Sequence, residues 1–167
     1  MKVDLFKAYD YVDWSYIRLV LLKIGILIPN IRWIMACTTS VKYDVIINGM
    51  PSEFFAAKRG LHQGCALSPL LFIIVMDGYS NLMKMAMQAG YFKGISFSPT
   101  VHISHSLFVD DLLVFGRINR NQSFYLHYLF NRFGARTGLT INKHKSILIH
   151  ADGDEEEISF NVEFLGV

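Results

Sequence analysis

Cysteine is scarce in this 167-residue chain: Cys37 and Cys65 are the only two. They lie far apart and form no C-x-x-C pair, which excludes a disulfide scaffold and a cysteine zinc site. Charge is scarce as well. Asp, Glu, Lys and Arg make up 18% of the residues and the formal net charge is only +2. A free-standing nucleic-acid binder carries a stronger basic excess, so charge alone makes no case for one. No uninterrupted apolar run reaches the length of a bilayer span; the best, Leu70 to Met76, is far too short. Met1 is followed at once by the charged Lys2 and Asp4, which is not how a secretory leader begins. Internal repeats and low-complexity tracts are absent. The expected setting is intracellular, nucleus or cytoplasm, with no membrane partner.

What the chain has is apolar mass. Hydrophobic residues reach 52%, enough for a single folded domain that buries on the order of 70% of its unfolded surface. The mean hydropathy of +0.31 is high for that size. Some apolar surface is therefore expected to face a partner or a further domain.

The stretch that organises the rest is S-L-F-V-D-D-L-L-V-F-G, Ser106 to Gly116. Two short apolar runs flank Asp110 and Asp111, which reads as a hairpin with carboxylates at its tip. As a plain turn the choice is poor, because tight hairpins favour Asn-Gly, Asp-Gly or Gly-Gly. Adjacent carboxylates repel and call for a cation. The two readings are a solvated turn and half of a divalent-metal site.

Around it the pattern predicts an α+β domain, a small antiparallel sheet with helices on one face. Val3 to Leu5 reads as the end of a strand. Asp10 or Asp13 caps a helix running to about Ile24, and Gly25 ends it. A second helix spans Ile31 to Thr38 behind Pro29. Val41 to Ile47 is expected as one strand turning at Asn48-Gly49 into Phe54 to Ala57. Ser68 as cap and Pro69 as first residue open a long helix to Gln88. Strands are expected at Phe92 to Phe97 and Val101 to Val109, then a helix from Asn121 to Thr137 stopped by Gly138. Ser146 to Ile149 reads as a strand, Asp152 to Glu157 as an acidic linker, and Val162 to Leu165 as a last strand.

Three further stretches carry chemistry. In V-D-L-F-K-A-Y-D, Val3 to Asp10, an acid inside an apolar strand is costly to bury unless it is paired or binds metal. Asp4 is the better ligand candidate and Asp10 the better cap; a surface carboxylate is the alternative for Asp4. In R-G-L-H-Q-G-C-A-L-S-P-L-L-F, Arg59 to Phe72, two glycines bracket Gln63 ahead of a helix N-terminus, which allows close backbone approach to a ligand. An ordinary loop before a helix is the alternative. G-L-T-I-N-K-H-K-S, Gly138 to Ser146, by itself reads as a solvated basic turn.

In order and wording these stretches resemble the reverse transcriptase of LINE-type (non-LTR) retrotransposons, most like the plant versions. The match runs through Asp4 to Asp10, Arg59 to Phe72, Phe108 to Asp111, Gly138 to Ser146, and Phe164-Leu165-Gly166, nearly the whole chain. Val109 stands where alanine is usual, Cys65-Ala66 where Asp-Pro or Cys-Pro is common, and Phe164 where tyrosine is usual. None of these departures removes a carboxylate.

The resemblance implies a polymerase palm, residues 1–167, with fingers, thumb and endonuclease outside it. It implies RNA-directed DNA synthesis from an RNA template, a DNA primer and deoxynucleoside triphosphates. Asp4 and Asp110 would hold two Mg²⁺ ions, or Mn²⁺ in their place, with Asp111 supporting the cluster. Leu5, Tyr9, Gln63, Gly64 and Lys145 would contact the nucleotide: Tyr9 beneath the sugar, where it rejects a 2′-hydroxyl, Gln63 and Gly64 along nucleotide and template base, Lys145 at the pyrophosphate. The expectation is an active palm that does nothing alone. Its alternatives are a relic without catalysis and a non-catalytic interaction module.

Overall fold

A computed structural model describes residues 1–99, 101–117, 119–150 and 155–166. In chain order its elements are β1 (Lys2–Val3), α1 (Ala8–Tyr11), α2 (Trp14–Lys23), α3 (Ile28–Thr39), β2 (Lys42–Tyr43), β3 (Ile46–Ile47), β4 (Met50–Pro51), β5 (Phe55–Ala56), α4 (Leu67–Gln88), β6 (Ile95–Ser96), β7 (His102–Ile103), β8 (His105–Phe108), β9 (Asp111–Val114), α5 (Arg120–Thr137) and α6 (Glu155–Leu165). The central sheet is antiparallel with order β1-β9-β8, and three two-stranded ribbons, β2-β5, β3-β4 and β6-β7, stand apart from it. This is the expected α+β architecture.

Alternation explains which face of the sheet is covered. Successive strand residues point to opposite sides. Val3, Leu112 and Val114 are buried, whereas Leu113 and Phe108 are exposed. The buried side meets α4, whose Leu71, Phe72, Val75, Met76, Tyr79, Met83 and Ala86 recur at helical spacing and are all buried. α5 closes the layer with Leu126, Leu129, Phe130 and Phe133. Tyr79 joins the two helices, its ring stacked on Phe130 at 5.4 Å. Each such side chain, fully buried, contributes about 1.5–3 kcal/mol. α4 is long and apolar enough to cross a membrane; here one face of it is the core of the fold.

The helix termini obey local chemistry. Asp13, not Asp10, caps α2: its Oδ1 accepts from Ser15 N at 2.6 Å and from Tyr16 N at 3.3 Å. Asp10 lies inside α1 instead. Gly138 adopts φ 78 and ends α5 as expected. α4 begins at Leu67 rather than behind Ser68, because Ala66 is already helical, with φ −61 and ψ −24. Ser68 and Pro69 fall in its first turn, where a missing N–H leaves no bond unmade.

Several strands differ from the sequence expectation. Val41 to Ile47 is broken into β2 and β3, because Val45 N donates to Ser52 Oγ at 3.0 Å and leaves the first ladder. Asn48-Gly49 still makes the turn, with φ 51 and φ 83. Val101 to Val109 is interrupted at Ser104, giving β7 and β8. Ser146 to Ile149 contributes only one bridge, Lys2 to Ile147. The acidic linker and last strand are overturned: Glu155–Leu165 is helix, and 152–154 lie outside the described residues. Phe160 and Phe164 are four residues apart, as one helical face requires. They stack on each other at 5.5 Å and reach Phe124 of α5 at 5.8 and 4.3 Å.

Candidate active site at the aspartate hairpin

β8 and β9 pair from His105↔Val114 to Phe108↔Asp111, which leaves Val109 and Asp110 as a two-residue turn. Val109 sits in the left-handed region at φ 54, a conformation in which a β-branched residue is strained. Asp110 is therefore the residue at the tip, and it is exposed. Asp111 begins β9 and pairs with Lys2 across the sheet, Nζ to Oδ1 at 3.1 Å, both side chains about half exposed.

The register Lys2↔Leu113 and Val3↔Leu112 brings the end of β1 to the same tip. Extended by one residue, it sets Asp4 beside Asp111, on the face away from the core. Asp4 is held from its other side by the Gly138 to Ser146 stretch. Asp4 N donates to Ser146 Oγ at 3.0 Å, and Asn142 N donates to Asp4 O at 2.8 Å. Ser146 Oγ in turn donates to Asn142 O at 2.8 Å. The stretch that reads as a solvated turn is thus a bracket around Asp4. Lys145 is exposed in that turn.

Leu5 turns its side chain into the core, 9% exposed, and bridges Ile141 through its backbone. Lys7 then takes φ 42 and redirects the chain into α1. Tyr9 stacks on Phe72 of α4, rings 4.8 Å apart and 13° from parallel. Burial, and after it the negative charge of Asp110, raise the Tyr9 phenol above its ordinary value.

The Arg59 to Leu67 loop is tied to the same segment. Gly60 N donates to Val12 O at 2.8 Å, Leu61 N to Tyr9 O at 2.7 Å, and Trp14 Nε1 to Gly60 O at 2.6 Å. Gly60, at φ 91, has no room for a side chain: a Cβ would lie 2.6 Å from Asp10 O. Arg59 covers the Tyr11 ring at 3.9 Å. Gln63 and Gly64 are left exposed at the far end of the loop, Gly64 at φ 87.

The donor chemistry suits a hard divalent cation, since all three candidates are carboxylates. Among the described residues, however, no group of three or more His, Cys, Asp or Glu side chains is arranged to hold a metal. Asp111 is engaged by Lys2, and by register Asp4 is its neighbour across the sheet, with Asp110 next along the turn. Two carboxylates suffice for such an ion only when substrate phosphates complete its shell. Lys2, Asn142 and Ser146 received no individual role from the sequence. Only the position of Asn142 and Ser146 in the fourth stretch hinted at them.

The family described as reverse transcriptase (RNA-dependent DNA polymerase) matches residues 1–167. A retrovirus-related Pol polyprotein from the type-1 retrotransposable element R2 of Popillia japonica is 28% identical over 114 residues, 68% of this chain and 18% of that protein. An uncharacterized mitochondrial protein of Arabidopsis thaliana, AtMg01250, is 43% identical over 67 residues, 40% of this chain and 55% of that protein. Among solved structures, apo telomerase from Candida tropicalis, truncated from its C-terminal domain, superposes with a TM-score of 0.68 at 17% identity, covering 92% of this chain and 31% of that one. Telomerase from Candida albicans in complex with a fragment of telomeric RNA gives 0.66 at 13% identity, covering 89% and 27%. The chain thus spans about half of one curated relative and under a fifth of the other. By the family match across its full length, the chain belongs to the reverse transcriptase (RNA-dependent DNA polymerase) family.

Proposed function

We propose that these residues are the palm of a non-LTR retrotransposon's RNA-directed DNA polymerase, acting on an RNA template, a DNA primer and deoxynucleoside triphosphates. The observation that supports this reading is the sheet register, which sets Asp4, bracketed by Asn142 and Ser146, beside Asp111 and next to the hairpin turn that carries Asp110. Intact carboxylates favour catalysis over a relic or a binding module.

Asp4 and Asp110 would hold two Mg²⁺ or Mn²⁺ ions. When bound, such ions supply Lewis acidity and charge neutralisation for displacement at phosphorus. The residues do the rest. Asp111, through its pair with Lys2, fixes the start of β9 so that Asp110 stays at the tip. Tyr9, braced by Phe72, forms a wall under the incoming sugar and disfavours a 2′-hydroxyl. Leu5 presents backbone to the nucleotide, and Gln63 and Gly64 border nucleotide and template base. Lys145 offsets the charge of the departing pyrophosphate.

The test joins residues 1–167 to the fingers and thumb of a related reverse transcriptase. The fusion should extend a DNA primer on an RNA template, and EDTA should stop it. Residues 1–167 alone, assayed beside it, should not, because loose positioning of primer end and triphosphate costs on the order of a hundredfold per ångström. A fusion that binds the primer–template but never extends it would contradict the reading.

A further inference from the structure

A second feature lies at the opposite end of β9 from the aspartate tip. Phe115 N continues the ladder by donating to Ser104 O at 2.8 Å. Arg117 therefore emerges roughly 20 Å from Asp110, at about 3.3 Å per extended residue. There the turn after α4, Arg117 and Asn119 between β9 and α5, and the first turn of α5 line an open cleft of about 440 Å³. Lys93, Arg117 and Arg120 line it, and no carboxylate is among its described lining residues. All three cations are exposed.

The cleft is built rather than incidental. Gly116 lets the 90–93 turn close onto the chain: a Cβ there would lie 2.7 Å from the Phe92 ring and 3.4 Å from Lys93 O. Lys93 N then donates to Gln122 Oε1 at 3.2 Å, tying the turn to α5. Asn119 Oδ1 accepts from Gln122 N at 2.9 Å and caps the helix. Arg120 rests over the Phe160 ring at 4.8 Å, which positions its guanidinium. Tyr91, also lining the cleft, is 58% exposed and stacks from behind on Tyr125 at 4.7 Å and 22°.

Clustered cations neutralise phosphates. An exposed aromatic face accepts an unpaired base by stacking, whatever its identity. Exposed cations alone would suit an acidic peptide equally; the backed tyrosine face is what favours nucleic acid. We infer that this cleft is a binding site for single-stranded nucleic acid, with Lys93, Arg117 and Arg120 on the phosphates and a base stacked on Tyr91. The site is separate from the aspartate tip and does not depend on catalysis there.

The experiment is fluorescence anisotropy of a labelled U10 RNA and a labelled dT10 DNA with the full chain, titrated at several salt concentrations. Tyr91→Ala should weaken binding about tenfold, and Tyr91→Phe should restore it, because stacking needs only the ring. Lys93→Gln with Arg117→Gln should lower the log–log salt slope by about 1.4, two phosphate contacts on a single strand. Lys23→Gln on α2 should change neither, and Asp110→Asn, which stops extension in the fusion, should leave U10 bound. The inference is overturned if the double variant keeps the parent's slope. It is overturned equally if a deca-glutamate peptide displaces U10 at matching concentration while Tyr91→Ala has no effect, since the cleft would then be an acidic-protein site.

Discussion

Ser146 Oγ accepts a hydrogen bond from Asp4 N at 3.0 Å, joining residues 142 apart in sequence. Ser146 is 5% exposed and its hydroxyl donates a hydrogen bond to Asn142 O, while Asn142 N closes the bracket on Asp4 O. The backbone of Asp4 is thereby held on the edge opposite β9. Ser146→Ala should cost about 1 kcal/mol of stability, one net hydrogen bond. It should slow primer extension by the fusion about tenfold, because Asp4 loosens. Ser146→Thr should restore both. Urea titration and single-turnover extension measure the two effects, and full activity in Ser146→Ala would remove Ser146 from the site.

Val109 stores strain at the hairpin. A β-branched residue at φ 54 costs on the order of 1–2 kcal/mol relative to glycine, which populates that region freely. Val109→Gly should therefore raise the urea midpoint, by about 1 kcal/mol in free energy. A lower midpoint would show that the valine's contacts outweigh its backbone.

How much of this was readable beforehand follows from how local each signal is. The Asp110–Asp111 tip was legible because two apolar runs and their turn are contiguous. α4 and α5 were legible because each carries its own helical period. The Lys2–Asp111 pair and the Ser146 bracket were not, since each joins residues more than a hundred apart through sheet register. α6 departs from the expected linker and strand for a different reason. Its glutamates look like a solvated linker, and only Phe124 and His127 on α5 reveal that Phe164 belongs to a packed face.

Tyr9 should govern sugar choice. Its ring is braced by Phe72 at 4.8 Å and cannot yield easily. Tyr9→Val should raise ribonucleotide relative to deoxyribonucleotide incorporation by the fusion, roughly tenfold or more, by removing a steric wall. Competition assays with both nucleotides measure the ratio. An unchanged ratio would place Tyr9 in the core only.

Stability should fall in acid, partly through His105. Its ring lies between Ser104 Oγ and Ser80 Oγ, each at 2.9 Å, and beside Tyr79. Burial, and then the charge of Lys84, lower its pKa below the ordinary value. Above pH of about 6.5 the ring is neutral folded or unfolded and contributes nothing to the slope. As pH falls through that value the unfolded chain takes the proton first, so stability is lost on the acid side. Urea midpoints at pH 7.5 and 5.5 should fall less in His105→Gln than in the parent. An equal fall would assign the acid sensitivity elsewhere.

The central claim is that Asp110, at the tip, works with Asp4 as the polymerase's catalytic carboxylates. Asp110→Asn and Asp10→Asn make the most direct comparison, measured as Mg²⁺-dependent extension of a DNA primer on an RNA template by the fusion. Both side chains are exposed, so neither substitution should disturb folding. Asp10 lies in α1 and caps nothing. Extension should vanish in Asp110→Asn and persist near the parent's rate in Asp10→Asn. Equal extension by Asp110→Asn and the parent would contradict the account.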